Sequence, residues 1–291
     1  MIRLRRAFTL VEALLVIAIL AMVGAVLFPV FSQASGAAKK ATCFGNFHQV
    51  SLATMLYVGD YDDLMMPVNH QPAEVPNSRN DKTWVQLILP YMGSFAPFRC
   101  PSDRSERPRS ETLFDQDLVP GDTYSQFYSA SMRTNLGFNF QYLSPIVRIA
   151  NHWQALPKAL TSIREPARTV LFVDSVWSRD ANGVPTGGGS WLVVPPCRYV
   201  EVEGVPKDTF LDRFGDGTKI FTTNRGWDPS DISSQYQFGG AWPWHEGRMT
   251  VARVDGSVVS LTPTQLAQGC DVRPEWSGRI ESSAAYLWDT E

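Results

Sequence analysis

Between Ala13 and Ala38 the chain carries 26 consecutive uncharged residues, and Lys39 and Lys40 end the run. A helix needs roughly 20 apolar residues to cross the hydrocarbon of a bilayer, so this stretch is long enough to span one. Arg3, Arg5 and Arg6 precede it. Basic residues before a span favour a cytoplasmic N-terminus, which places everything after Lys39 outside. Glu12 is the residue that an ordinary anchor does not require. A carboxylate costs about 2.5–3.5 kcal/mol at the centre of a membrane helix and less toward an end, so its presence asks for a reason.

The neighbouring residues supply one. A short basic leader, the small residue Ala7, then Phe8-Thr9-Leu10-Val11-Glu12 and an unbroken apolar run resemble the N-terminus of type IV pilins and type II secretion pseudopilins. The resemblance implies that a prepilin peptidase cuts between Ala7 and Phe8 and methylates the new N-terminal Phe8. Family members usually carry Gly where this chain has Ala7. Glu12 becomes the fifth residue of the processed chain, and Gly24 and Pro29 fall where family helices loosen. In a filament, the amine of an incoming subunit is expected to pair with Glu12 of a neighbour. A buried ion pair of this kind sets register even where it adds little net stability.

The helix is expected to continue past Lys39 to about Val58. Cys43, Phe47, Val50, Thr54 and Tyr57 recur at steps of four and three and form one stripe, with Asn46, Gln49 and Ser51 off its centre. From Phe8 to Val58 is 51 residues, or about 77 Å of helix. Pro29 is expected to weaken it at the membrane junction, because proline removes a backbone bond and crowds the preceding turn. Gly59-Asp60-Tyr61-Asp62-Asp63 and Pro67 end it. Asp60, Asp62 and Asp63 are candidate Ca2+ ligands, although they lack the mid-loop glycine and closing bidentate glutamate of a full calcium loop.

Past this point the chain is rich in turns, with 20 prolines and 21 glycines in all, which argues against a helical bundle. Residues 69–82 read as a surface loop, and Trp84 to Tyr91 as a short helix or buried turn. Arg168 to Trp177 reads as a buried strand, with shorter strands at Trp191 to Val194, Arg198 to Glu203 and Thr218 to Thr223. Gly187-Gly188-Gly189 reads as a flexible loop without the frame of a phosphate cradle. Arg248 to Val254 and Ser257 to Leu261 alternate around Asp255-Gly256, which predicts a hairpin closed by a tight type I′ turn. Thr262-Pro263 opens a short helix, Thr264 to Gln268, and the last twenty residues read as loop or edge strand.

A second resemblance covers most of the chain. Cys43 with Asn46 and Gln49, Tyr57 with Asp60-Tyr61-Asp62, Pro90-Tyr91, Cys100-Pro101-Ser102-Asp103, and His245 followed after nine residues by Asp255-Gly256 are similar to large pilin-like proteins whose C-terminal domain is named for that last motif. Four cysteines in an exported chain suggest two disulfides with three connectivities. Cys43 lies on the inner stripe of the spine, so its partner must come from the domain that covers it. The resemblance favours Cys43 with Cys100, which leaves Cys197 with Cys270.

His245 and Asp255 are residue types that ligate metals or move protons, but spacing supplies no third group to orient a base. Their expected role is structural, with Asp255 set by its turn and His245 packed behind Trp242-Pro243-Trp244. Neither a G-x-S-x-G nor an H-E-x-x-H motif occurs, and no C-x-x-C pair marks a metal or redox site. Trp227, Tyr236, Phe238, Trp242 and Trp244 suit buried loop anchors, and their alternative use is an aromatic face for glycan or a neighbouring subunit. Removing residues 1–7 takes away three arginines and moves the formal charge from −3 to −6, which gives no support to a specific nucleic-acid partner.

The expected architecture is α+β. Residues 1–7 form a cytoplasmic leader, 8–58 a pilin-type helix with a transmembrane first half and a spine as its second, and 59–291 an extracellular domain of mainly antiparallel sheet. The expected function is that of a non-enzymatic subunit without a cofactor, other than the calcium candidates. It polymerises with copies of itself after handling by prepilin peptidase and inner-membrane assembly machinery, and moves from that membrane to a surface filament. The alternatives are a minor pseudopilin or tip adhesin with a Trp-rich binding face, or a signal-anchored binding protein.

Overall fold

A computed structural model describes residues 9–70, 82–105, 131–149, 152–210, 219–221, 225–232 and 237–290. Helix α1 (Leu10–Asp60) begins at a capping box. The Thr9 hydroxyl accepts the Glu12 amide at 3.3 Å, and the Glu12 carboxylate accepts the Thr9 amide at 2.8 Å. Two otherwise orphaned amides are thereby satisfied, with the acidic group in the first turn. The helix runs through Pro29 without a break. One missing backbone bond does not end it, because the turns on either side keep theirs.

The expected spine stripe is buried in full: Cys43, Phe47, Val50, Thr54 and Tyr57 all face inward. Ser51 is a correction, since it is also buried, with its hydroxyl returned to the Phe47 carbonyl at 2.8 Å. A hydroxyl that satisfies itself on its own helix can enter a core without an outside partner.

The sheet under the spine has the order β13-β12-β6-β3, all antiparallel, built from β3 (Leu136–Phe138), β6 (Val170–Asp174), β12 (Met249–Arg253) and β13 (Val258–Leu261). Because it is covered on both faces, β6 is apolar throughout until its last residue. Ala252 and Val254 face the core beneath α1, while Met249 and Val251 face a second core around Phe210, Tyr286 and Trp288. Beneath α1, short helix α2 (Trp84–Ile88) inserts Trp84 among Phe98, Phe138 and Phe172.

The remaining strands form smaller sheets. β4 (Ile146–Ile149) lies between β5 (His152–Ala155) and β11 (Lys219–Ile220), and β1 (Asn69–His70) pairs with β2 (Lys82–Thr83) inside the stretch expected to be loop. β7 (Ser178–Arg179) and β8 (Pro185–Thr186) make a short ribbon. The last sheet, β10-β9-β15-β14, joins β9 (Cys197–Val202) and β10 (Val205–Asp208) to β14 (Cys270–Asp271) and β15 (Gly278–Ile280). β15 is an interior strand, parallel to β9, and Trp288 is fully buried. Within the last twenty residues β15 is therefore not an edge, while residues 281–290 are loop as expected and bury Tyr286 and Trp288 in the second core.

Three local expectations are corrected. Trp191 to Val194 is not a strand; it meets β3 through a single parallel bridge, in which the Phe138 amide donates to the Trp191 carbonyl and the Val193 amide to the Phe138 carbonyl. The β12–β13 hairpin closes with Gly256 N–H on the Arg253 carbonyl and Arg253 N–H on the Ser257 carbonyl, and only Gly256 has positive φ (84°). That is a wider loop than type I′, with the glycine as its left-handed residue. The Gly187–Gly189 run is packed, not flexible: a Cβ on Gly189 would lie 2.0 Å from the Thr134 carbonyl oxygen. Gly189→Ala is expected to cost about 1–3 kcal/mol by overpacking, read as a lower denaturant midpoint with unchanged slope.

Candidate functional site

Two features of the fold have chemical or assembly potential. The first is the N-terminal part of α1. Leu10, Phe28 and Phe31 are 78%, 79% and 76% exposed, and burial on this helix begins only near Cys43. By length and composition α1 is sufficient to cross a membrane. Glu12 is exposed and held by Thr9, while Gly24 has open space where a side chain would be. Ala7 and Phe8 lie outside the described residues.

The second is a buried cluster that the sheet order assembles from four distant segments. Cys43 comes from the inner stripe of α1. Cys100 follows the turn Ala96–Phe98, where its amide donates to the Asn135 side-chain carbonyl at 2.9 Å. Asp174 ends β6 and is fully buried, with one oxygen accepting the Thr250 amide of β12 at 2.6 Å. His245 sits just before β12, 5% exposed, in a backbone bridge with Arg248.

The side chains converge tightly. Cys43 Sγ lies 3.5 Å from Cys100 Sγ and 3.4 Å from Asp174 Oδ1. His245 Nε2 is 3.5 Å from Cys100 Sγ and 3.9 Å from Asp174 Oδ2, while Nδ1 is 3.4 Å from the Ser102 hydroxyl. A cleft of about 280 Å³ opens beside His245, between the Gly36 to Lys40 turn of α1 and Trp244.

The electrostatics follow from burial and crowding. Loss of water, and then the neighbouring Cys100 sulfur, push the Asp174 carboxyl up to about 8. The hydrogen bond between the thiols, reinforced at Cys100 by His245, lowers the Cys100 pKa and raises that of Cys43. Burial lowers the His245 pKa, but its bond to Cys100 and the charge of Asp174 outweigh this, and the net shift is upward.

The cysteine expectation is half right. Cys197 and Cys270 form a disulfide. Cys43 and Cys100 are neighbours, as the spine stripe required, but both are free thiols. Their separation is that of atoms in contact, against about 2.0 Å for a bonded pair, and each has a further polar neighbour.

The carboxylate beside His245 is Asp174 and not Asp255. Asp255 turns its side chain onto the Ser257 amide at 2.9 Å, and the Gly256 carbonyl lies 3.3 Å from His48 Nδ1 on α1. Asp60 accepts the Tyr91 hydroxyl and Asp63 accepts the Thr161 amide and hydroxyl, so these carboxylates engage different segments. Among the described residues, the one group of three or more His, Cys, Asp or Glu with converging ligand atoms is Cys43, Cys100, Asp174 and His245.

Trp227 is buried and donates to the Val194 carbonyl, and Trp244 donates to the Ser175 carbonyl, so both serve as loop anchors. Tyr236 lies outside the described residues. Asp174 belongs to no spacing motif, and its signal in the sequence is a charged residue ending an otherwise wholly apolar strand.

Comparison of the chain with family models, curated proteins and solved structures finds no match.

Proposed function

We propose that the chain is a pilin-like structural subunit that assembles through the N-terminal half of α1. The observation that carries this reading is the contrast along one continuous helix. Its second half is gripped by the globular domain, while its first half exposes an apolar surface all round. Apolar area on that scale needs a bilayer or other helices around it. A plain anchor meets the first need only; the exposed Glu12, held by Thr9 in the first turn, adds a charged group suited to an incoming subunit's amine.

The subunit performs no reaction in this reading. It is cut between Ala7 and Phe8 by a prepilin peptidase, waits in the inner membrane, and is extracted into an extracellular filament as helix packs on helix. Membrane solvation of the apolar half is exchanged for burial against copies of itself, with register set by Glu12.

Mass spectrometry of protein sheared from cells tests the first step: a chain starting at Phe8 and carrying one added methyl group is expected. Glu12→Ala is expected to leave export intact while reducing sheared filament by at least about tenfold, the loss of roughly 1.4 kcal/mol per added subunit. Filaments as abundant as wild type would overturn the role given to Glu12. A start beyond Ala34 would overturn the assembly reading.

A further inference from the structure

We propose that Cys43, Cys100, Asp174 and His245 hold one divalent cation of the zinc class in a closed tetrahedral site that fastens the spine helix to the sheet. This goes beyond the filament reading and does not depend on it.

The geometry points to a metal. Zinc binds thiolate sulfur at about 2.3 Å and imidazole nitrogen or carboxylate oxygen at about 2.0–2.2 Å. Ligands at those lengths around a tetrahedral centre lie about 3.3 to 3.8 Å from one another, the spacing of adjacent tetrahedron corners. Three observed spacings fall in that range, 3.5 Å between the sulfurs, 3.4 Å from Cys43 to Asp174 Oδ1 and 3.5 Å from Cys100 to His245 Nε2, while His245 Nε2 lies 3.9 Å from the other carboxylate oxygen, Oδ2. All four ligand atoms fall within 4.8 Å of each other. Two sulfurs, a nitrogen and an oxygen form a donor set that suits zinc over the hard cations, which take oxygen alone.

The surroundings are those of a supported site. Ser102 faces His245 Nδ1 at 3.4 Å; with the proton on Nδ1 donated to that hydroxyl, the Nε2 lone pair turns inward. The Thr250 amide fixes Asp174, and the Asn135 side chain fixes the backbone of Cys100. All four ligands are buried and all come from protein, which marks a structural centre and not a catalytic one with an open position. The cleft beside His245 supplies an entry path.

Binding is an exchange of protons for metal. The two thiols and, where they carry one, the carboxyl and imidazole release their protons to solvent, and no bond is oxidised. The cation then stands against two thiolates and a carboxylate, and places a doubly charged centre beside the buried Asp174. A Cys43–Cys100 disulfide would instead consume both sulfurs and leave Asp174 with the Thr250 amide and His245.

The test uses the full exported chain, extracted with detergent without chelator or reductant. Elemental analysis is expected to find about one zinc per chain, with the thiols of Cys43 and Cys100 alkylated only after chelation. Refilling the chelated protein with Co2+ is expected to produce thiolate-to-cobalt charge-transfer absorption, saturating at one equivalent. Cys100→Ser and His245→Ala are expected to lose this absorption, and Asp174→Asn to weaken Co2+ binding by at least about tenfold.

A peptide map of the untreated protein showing Cys43 joined to Cys100 would overturn the proposal. So would two freely alkylated thiols with no bound metal and no cobalt spectrum. Both readings come from the wild-type chain, so a variant that fails to fold leaves the question decided. Filament assembly is scored separately by N-terminal processing, and either result can fail alone.

Discussion

Trp84→Ala is expected to destabilise the globular domain by about 3–5 kcal/mol, the range for truncating a large aromatic in a packed core. Trp84 is fully buried at the first position of α2 and stacks on Phe172 with 4.8 Å between ring centroids. Phe98 and Phe138 close around it at 6.0 and 5.9 Å. Its indole N–H donates to the Trp191 carbonyl at 2.8 Å, an oxygen that also accepts the Phe138 amide at 3.0 Å, so the truncation removes one of that acceptor's two donors. The site cannot collapse easily, because α2 begins on a capping box at Thr83 and is fixed where it starts. Equilibrium denaturation followed by tryptophan fluorescence or circular dichroism would read the loss. A shift of less than about 1 kcal/mol would mean that α2 does not couple α1 to the sheet.

The second large effect is expected from Cys197→Ser combined with Cys270→Ser. The two cysteines are 73 residues apart in sequence. By loop-closure entropy, releasing a loop of that length gives the unfolded chain about 4 kcal/mol of additional freedom. The bridge ties β9 to β14, and around it Tyr286 donates its hydroxyl to the Cys197 carbonyl at 2.8 Å while burying its ring with Tyr142. The double variant is expected to unfold at a lower denaturant concentration, with the second core, around Trp288 and Phe210, losing protection from hydrogen exchange before the core beneath α1. Equal loss of protection in both cores would show that they unfold as one unit.

These two predictions fall on different cores that share one sheet, and the metal site sits where the spine meets that sheet. Cys43 belongs to the helix, Asp174 to the end of β6, and His245 to the chain entering β12. In the proposed subunit, force applied to the helix is passed to the domain through this contact together with the packed stripe from Phe47 to Val58. A tie between helix and sheet at that point gives the four residues a purpose that none has alone.

Much of the fold was legible in the sequence because its signals are local. The uncharged run and the stripe from Cys43 to Tyr57 each express a period within one helix, and both appear where expected. The hairpin around Asp255-Gly256 appears too, though only Gly256 takes the left-handed conformation. The misreadings share a cause. Gly187 to Gly189 and β15 look like loop by composition, yet they are packed because other segments come close to them. Composition reports what a segment can do alone, and not what covers it.

The candidate site divides the same way. By itself the sequence determined that Cys43 faces inward, that His245 and Asp255-Gly256 flank β12, and that from Leu10 to Ala38 the helix carries Glu12 as its one charged residue. Only the tertiary structure decided that His245 turns to Asp174 and that two thiols complete the group, across separations of 57, 131 and 145 residues. Periodicity fixes which face a residue takes within its own element. Which distant elements then meet depends on strand order, set by the burial of both faces of β6 at once, and that is a property of the whole chain.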